Sequence, residues 1–214
     1  MTIVNESLLS GKLHSTILFV FLAYRGSNLR SFKYCAFHKP YGILSQFTSE
    51  NLEETLSVFN FPKDVYAAGR LDKDSEGLLV LSDDGAFIDE LLTPKFDKEK
   101  TYWVQVENIP DETALEKLRK GVQIQDYKTK PATVKILNPL PDIAPRIPPI
   151  RERKSIPTCW LEIIVTEGKN RQVRKMTAAI GFPTLRLIRM KVGKLSLGDL
   201  RPGEWKFVDK KDII

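Results

Sequence analysis

This sequence predicts an α+β fold with a mixed, mainly antiparallel β-sheet, on three observations. Strand-like apolar runs outnumber helical patterns. The two kinds do not alternate strictly, which disfavours a repeating βαβ architecture. Gly, Asp and Pro turn signals separate successive runs. At 214 residues the chain can bury a core as one large domain or two lobes.

Residues 1–32 do not fit the core pattern. Their apolar run, Ile17 to Tyr24, is too short to span a bilayer. The start is uncharged or acidic and no small-residue cleavage site is clear, which disfavours a signal peptide. We read 1–32 as a flexible N-terminal extension, 33–209 as the folded core and 210–214 as a C-terminal tail.

The core opens with a strand over 34–37, followed by a short helix over 52–59. Val65-Tyr66-Ala67 leads into a charged loop bracketed by Gly69 and Gly77. Leu78 to Leu81 leads out as a short buried strand. Ser82-Asp83-Asp84-Gly85 is a turn before a helix over 86–92. Residues 101–106 alternate as a strand. A helix over 111–120 turns Ala114, Leu115 and Leu118 inward and is closed by Gly121. Strands over 132–137 and 160–166 flank a loop carrying Pro139, Pro141, Pro145, Pro148 and Pro149. A further helix starts after Asn170 as N-cap, with Val173, Met176, Thr177 and Ile180 on one face. Gly181 and Pro183 end it. Its opposite face carries Arg171, Arg174 and Lys175, with Ala178. Strands over 185–192 and 205–208 complete the core.

Composition narrows the function classes. Hydrophobic content is an ordinary 42%, as in globular proteins. Cys35 and Cys159 form no metal-type cluster and read as buried thiols of a reducing, cytoplasmic compartment. With His14 and His38 the only histidines, a histidine-rich zinc site is excluded. There is no glycine-rich nucleotide loop and no solenoid repeat. The net charge of +6 is uneven: between Arg146 and Lys194 twelve Lys/Arg stand against three Asp/Glu, while the remainder is slightly acidic. One basic region of this kind fits a polyanionic partner; an acidic protein partner or plain solubility stays open.

The most informative stretch is Ala68-Gly69-Arg70-Leu71-Asp72-Lys73-Asp74-Ser75-Glu76-Gly77-Leu78-Leu79. An arginine two residues before an aspartate, on a tight loop entering a buried strand, places a carboxylate suited to nucleophilic attack. Other readings exist for the loop alone. Asp72, Asp74 and Glu76-Gly77 mimic the start of a calcium loop, but position 12 is Asp83 and the flanks read as strands. Asp72 and Asp74 could form a glycosidase-like pair, but no distant partner carboxylate is evident. A solvated turn without chemistry also fits.

Read together, four motifs resemble a known family. Gly69-Arg70-Leu71-Asp72 with Ser75 and Gly77-Leu78-Leu79, His38-Lys39-Pro40-Tyr41-Gly42, Lys100-Thr101-Tyr102, and Glu167-Gly168-Lys169-Asn170-Arg171-Gln172-Val173-Arg174-Lys175-Met176 look like those of the RNA pseudouridine synthases. The form is closest to the branch typified by the small-subunit ribosomal RNA enzyme A. The resemblance implies a catalytic domain of two lobes sharing a bent sheet, with flanking helices and a central active-site cleft. It implies isomerisation of uridine to pseudouridine in RNA, without cofactor or metal, on a flipped-out nucleotide. Asp72 would be the nucleophile. Tyr102 would stack on the uracil and serve as base, and Arg174 would pair with Asp72. Arg70, Lys39, Arg171 and Lys175 would contact RNA.

Two features narrow the branch. The residues before the first core strand are too few for the S4-type RNA-binding domain usual in close relatives. The segment Pro148 to Thr158, with Arg151, Arg153 and Lys154, resembles large-subunit synthases of the E type, which are also a core without that domain. The implied substrate is therefore 23S ribosomal RNA, free or in a precursor of the large subunit, acted on by a monomer engaged in ribosome biogenesis. The proline-stiffened basic loop is expected to bind this RNA and select its uridine. Two rival classes stay open: a catalytically inactive RNA-binding factor of this fold, and a cofactor-dependent RNA-modifying enzyme such as a methyltransferase.

Overall fold

In chain order the strands are β1 (Tyr34–Lys39), β2 (Tyr66–Ala67), β3 (Glu76–Ser82), β4 (Lys100–Glu107), β5 (Gln123–Ile124), β6 (Tyr127–Lys128), β7 (Thr133–Ile136), β8 (Thr158–Val165), β9 (Thr184–Val192), β10 (Leu195–Ser196) and β11 (Trp205–Phe207). The helices are α1 (Gly85–Leu92), α2 (Glu112–Arg119) and α3 (Gln172–Ala179). The structure, a computed structural model, describes residues 31–93, 95, 97–150, 153 and 155–214. Residues 32–214 form one unit. The expected flexible extension over 1–32 lies, apart from its last two residues, outside the described residues.

Period-two alternation builds two cores on opposite faces of one sheet. Along β1 and β3, Cys35, Phe37, Leu79 and Leu81 enter one core, and Ala36, Leu78 and Val80 the other, because successive side chains of a strand point to opposite faces. The first core also takes Tyr102, Val104 and Val106 from β4, Leu161 and Ile163 from β8, and the inward faces of α2 and α3. The second takes Phe87 and Leu91 of α1 with Ile188 of β9. Among the described residues the sheet order is β11-β1-β3-β9-β4-β8-β7, with β2 beside β3 and β10 beside β9. Every pairing is antiparallel except β3 with β9. The register shifts at Thr101/Tyr102 and Gln105/Val106, where β4 meets β9, as at a β-bulge. The α+β, mainly antiparallel expectation holds. No described helix is long and apolar enough to cross a membrane.

Capping chemistry explains where helices start. Asp84 accepts from Phe87 N at 3.1 Å and Asp111 from Ala114 N at 2.8 Å, each satisfying an orphan amide of the first turn. α3 differs from expectation: its N-cap is Arg171, at φ +51° with no side-chain cap, not Asn170. The helix expected over 52–59 is two 3₁₀ turns, Leu52–Glu54 and Leu56–Phe59. Thr55 parts them, its hydroxyl donating to Leu52 O at 2.7 Å and accepting from Ser57 N at 3.3 Å; such local side-chain bonds compete with helix. Residues 210–214, expected as a tail, include a 3₁₀ turn, Lys210–Asp212, and a fully buried Ile213 in the second core.

β3 and β9 meet over two residue pairs, Glu76 with Ile188 and Gly77 with Arg189. Two buried arginines of β9 reinforce this short seam. Arg186 donates from Nε and Nη2 to the two Glu76 carboxylate oxygens, both at 2.8 Å, and from Nη1 to Ala144 O at 3.0 Å. Arg189 Nε donates to Leu78 O at 2.7 Å. Part of the C-terminal basic excess is thus internal. Gly77 lies at φ +101°, and a Cβ there would stand 2.3 Å from Arg189 O. Gly77→Ala is expected to destabilise the fold by roughly 2–4 kcal/mol, read by urea denaturation; an unchanged midpoint would refute the close approach.

Lys39 corrects a further expectation. It is fully buried, so it offers RNA no contact. Its Nζ donates to Pro40 O at 2.9 Å and Ile43 O at 2.6 Å, so two carbonyls replace water at the ammonium while its methylenes fill the core. Burial pushes this ammonium down to about 7, against the raising pull of the Glu76, Asp74 and Asp72 carboxylates. Between pH 7 and the normal lysine range the unfolded chain then binds more protons than the folded one, so stability rises with pH. Measured against Lys39→Met, the unchanged chain should gain up to about 2 kcal/mol from pH 7 to 9. Parallel stability profiles from denaturant titrations would show that Lys39 titrates normally.

Candidate active site

The turn Asp72-Lys73-Asp74-Ser75 immediately precedes β3 and is braced from three sides. Ser75 N donates to Asp72 O at 3.0 Å, closing the turn. Gly42 N, two residues past Pro40, donates to Lys73 O at 2.8 Å. The Ser45 hydroxyl donates to Leu71 O at 2.8 Å and accepts from Leu71 N at 3.0 Å. The segment after β1 and the segment before β3, far apart in sequence, are therefore one rigid unit. This preorganises the aspartates.

The start of α3 closes over this turn. Arg171 Nη1 and Nη2 donate to Asp74 Oδ1 and Oδ2 at 2.9 and 2.8 Å, a two-pronged pair. The same Nη1 lies 3.5 Å from Asp72 Oδ2. Arg174 Nη2 donates to Asp74 O at 2.6 Å, and its Nε lies 3.5 Å from Asp74 Oδ2. The expected Arg174–Asp72 ion pair is not formed. The turn presents both the carbonyl and carboxylate of Asp74 to Arg174, and Arg171 is the cation that reaches Asp72. Burial pushes the Asp74 carboxyl up, but hydrogen bonding from Arg171 and the charges of Arg174 and Arg171 outweigh it and hold the group below the usual carboxylate range. The Asp72 side chain keeps 32% exposure and Arg174 only 12%.

The rest of the α3 motif secures Arg171. Glu167 Oε2 accepts from Gln172 Nε2 at 2.7 Å and from Lys130 N at 2.8 Å, while Gln172 Oε1 accepts from Lys169 N at 3.1 Å. These bonds fix the loop that sets Arg171 in a left-handed conformation, which is costly for a non-glycine residue and recurs at functional sites.

The remaining expected residues divide. Tyr102 of β4 is buried beside Arg189 of β9, which stands beside Gly77 of β3. The register thus sets Tyr102 across the sheet from the strand that the Asp72 turn enters. Arg70 is exposed, without an ion pair among the described residues. Lys175 is half-buried and also unpaired among them. Arg153 is exposed but bonded to Glu107 at 2.9 Å. Arg151 and Lys154 lie outside the described residues. Sequence reasoning gave Ser45 no site role and placed Asp74 only in the calcium-loop and carboxylate-pair readings. The spacing of Asp72 and Asp74 signalled a carboxylate pair without saying which one the arginines take, and Ser45 carries no motif. Among the described residues no group of three His, Cys, Asp or Glu could hold a metal ion.

The comparisons with known proteins agree with this geometry. Residues 33–179 match the family described as RNA pseudouridylate synthase. A ribosomal large subunit pseudouridine synthase E from Vibrio parahaemolyticus is 55% identical over 179 residues, covering 84% of this chain and 75% of that protein. One of the same name from Xanthomonas campestris pv. campestris is 51% identical over 178 residues, covering 82% and 95%. A crystal structure of a pseudouridylate synthase superposes with a TM-score of 0.70 at 26% identity, covering 86% of this chain and 74% of that one. The family match across residues 33–179 and the identity to these synthases show that the chain belongs to the RNA pseudouridylate synthase family.

Proposed function

We propose that this chain isomerises a uridine to pseudouridine in large-subunit (23S) ribosomal RNA. The observation that carries the reading is the placement of Asp72: half-exposed on a braced turn, with the Arg171 guanidinium 3.5 Å away. The identity to two proteins named ribosomal large subunit pseudouridine synthase E supports the choice of RNA.

In this reading the target uridine is flipped out of its stack, which costs a few kcal/mol. Asp72 attacks the ribose or the uracil ring. The bond from C1′ to N1 breaks, the ring turns, C1′ joins C5, and the bond formed to Asp72 breaks, which returns its carboxylate; C5 loses a proton and N1 gains one, so the product is an isomer. Nothing is oxidised and no small-molecule cofactor enters the balance. Tyr102 flanks the uracil and takes the C5 proton. Arg171 orients Asp72. Arg174 acts through Asp74, as a positioning residue for the turn. Arg70, Lys175 and the Arg151 to Lys154 segment meet the phosphate backbone, which gives affinity rather than sequence choice. The protein works in the cytoplasm as a monomer.

Asp72→Asn is expected to abolish tritium release from carbon-5-labelled uridine in ribosomal RNA while RNA affinity stays within a few-fold, because the carboxylate supplies nucleophilicity and not phosphate contact. Pseudouridine made by the purified variant would refute the role. Lys175→Ala should lower the slope of log affinity against log salt by about one unit. An unaltered slope would remove that residue from the interface. Activity that required an added small molecule would favour a cofactor-dependent enzyme instead.

A further inference from the structure

A cavity of about 430 Å³ opens beneath the proline-rich loop, on the sheet face opposite Val104 and Val106. Its volume lies within the roughly 300–1,000 Å³ range of small-ligand sites. Pro149, Ile156 and Leu185 supply apolar parts of an otherwise polar lining. On its floor Arg186 joins Glu76, four residues after Asp72, to Ala144 O of the loop. At its rim the Arg146 guanidinium stacks 4.1 Å over the ring of Tyr41, next to the Gly42 amide that braces the Asp72 turn. The cavity is thus tied to that turn from two directions.

Among the described residues the polar groups within it have unused capacity. Glu107 Oε1 takes Arg153 at 2.9 Å, leaving Oε2 as an acceptor. Gln105 Nε2 donates to Thr158 Oγ1 at 3.1 Å, leaving Gln105 Oε1 as a second acceptor. Arg146 donates from Nε and Nη2 to Pro148 O and Pro149 O, at 2.8 and 3.1 Å. Among the described residues its Nη1, and most of the Arg153 fork, have no further partner and can meet an anion. Apolar side chains beside acceptors, with guanidinium donors at the mouth, match an unstacked nucleobase whose phosphate stays outside. Acceptors call for donors, and an exocyclic amino group supplies two where uracil has a single ring N–H.

We propose that this cavity is a second RNA subsite, which receives an unstacked nucleobase neighbouring the target uridine and favours one with an exocyclic amino group. The inference rests on the RNA-modifying activity proposed above. Base capture here fixes the strand on one side of the flipped uridine, so the proline-rich loop selects the site by shape and not by charge alone.

The test uses the full chain and large-subunit ribosomal RNA fragments containing the uridine found modified by mapping. Single abasic nucleotides are placed in turn on either side of that uridine. For the unchanged protein, one position should lower kcat/KM by about tenfold, and uridine at that position should lower it several-fold. Ile156→Trp fills the cavity. It should lower kcat/KM on the intact fragment by about tenfold with an unaltered Tm, and it should become indifferent to the abasic position. Glu107→Gln, which keeps the volume, should lose only the discrimination against uridine. If the abasic positions affect the unchanged protein and both variants alike, the subsite is refuted while the enzyme reading stands. If the unchanged protein makes no pseudouridine in any ribosomal RNA, the enzyme reading falls and the subsite with it.

Discussion

The pairing of β3 with β9 is the joint on which the rest of the molecule depends. On one side lie β11 and β1; on the other lie β4, β8 and β7. The backbone contact between these halves is two residue pairs long, and two buried arginines extend it through side chains. The Glu76–Arg186 pair is almost fully shielded, with side-chain exposures of 3% and 6%. Removing either partner of such a pair costs about 3–5 kcal/mol, because a charge is left buried alone. The Asp72 turn enters at this joint, Tyr102 stands beside it, and the loop cavity has Arg186 in its floor. The chemistry is gathered where the two halves of the sheet meet.

Within the turn the two aspartates differ in what surrounds them. Asp74 takes both prongs of Arg171 and its backbone carbonyl takes Arg174. Asp72 receives one longer contact. A carboxylate locked in a two-pronged pair is a poor nucleophile, since its lone pairs are committed. The strong pairing at Asp74 fixes the turn and leaves Asp72 with accessible oxygens beside a positive charge. Anchoring and reactivity are carried by neighbouring residues.

Much of the fold was legible because its signals are local. The helices expected over 86–92 and 111–120 form within a residue of those bounds, and Ala114, Leu115 and Leu118 face inward as their spacing requires. Where the reading failed, long-range geometry prevailed. Arg171 is the N-cap of α3 because the Glu167–Gln172 bonds set the loop, whereas Asn170 had the better intrinsic preference. Lys39 is buried because two carbonyls meet its ammonium, and nothing in a charged residue next to proline announces that. The carboxylate partnered by Arg174 depended on the shape of a turn that spacing does not specify. The cavity draws on residues from Gln105 to Arg186, which only the folded sheet brings together.

The Glu76–Arg186 pair also constrains how such a chain can diverge. Its members are 110 positions apart, one on the strand that leaves the aspartate turn and one beneath the proline-rich loop. Altering either alone strands an ion in a dry interior, so neither position is free to drift by itself. Replacement of both by an apolar pair of similar volume can preserve stability. That route, however, also deletes the bond from Arg186 to Ala144 O, one of the two ties between the loop and the turn. Mutational paths that keep the fold while loosening the loop therefore pass through this pair, and the loop's variability is bounded by a residue outside it.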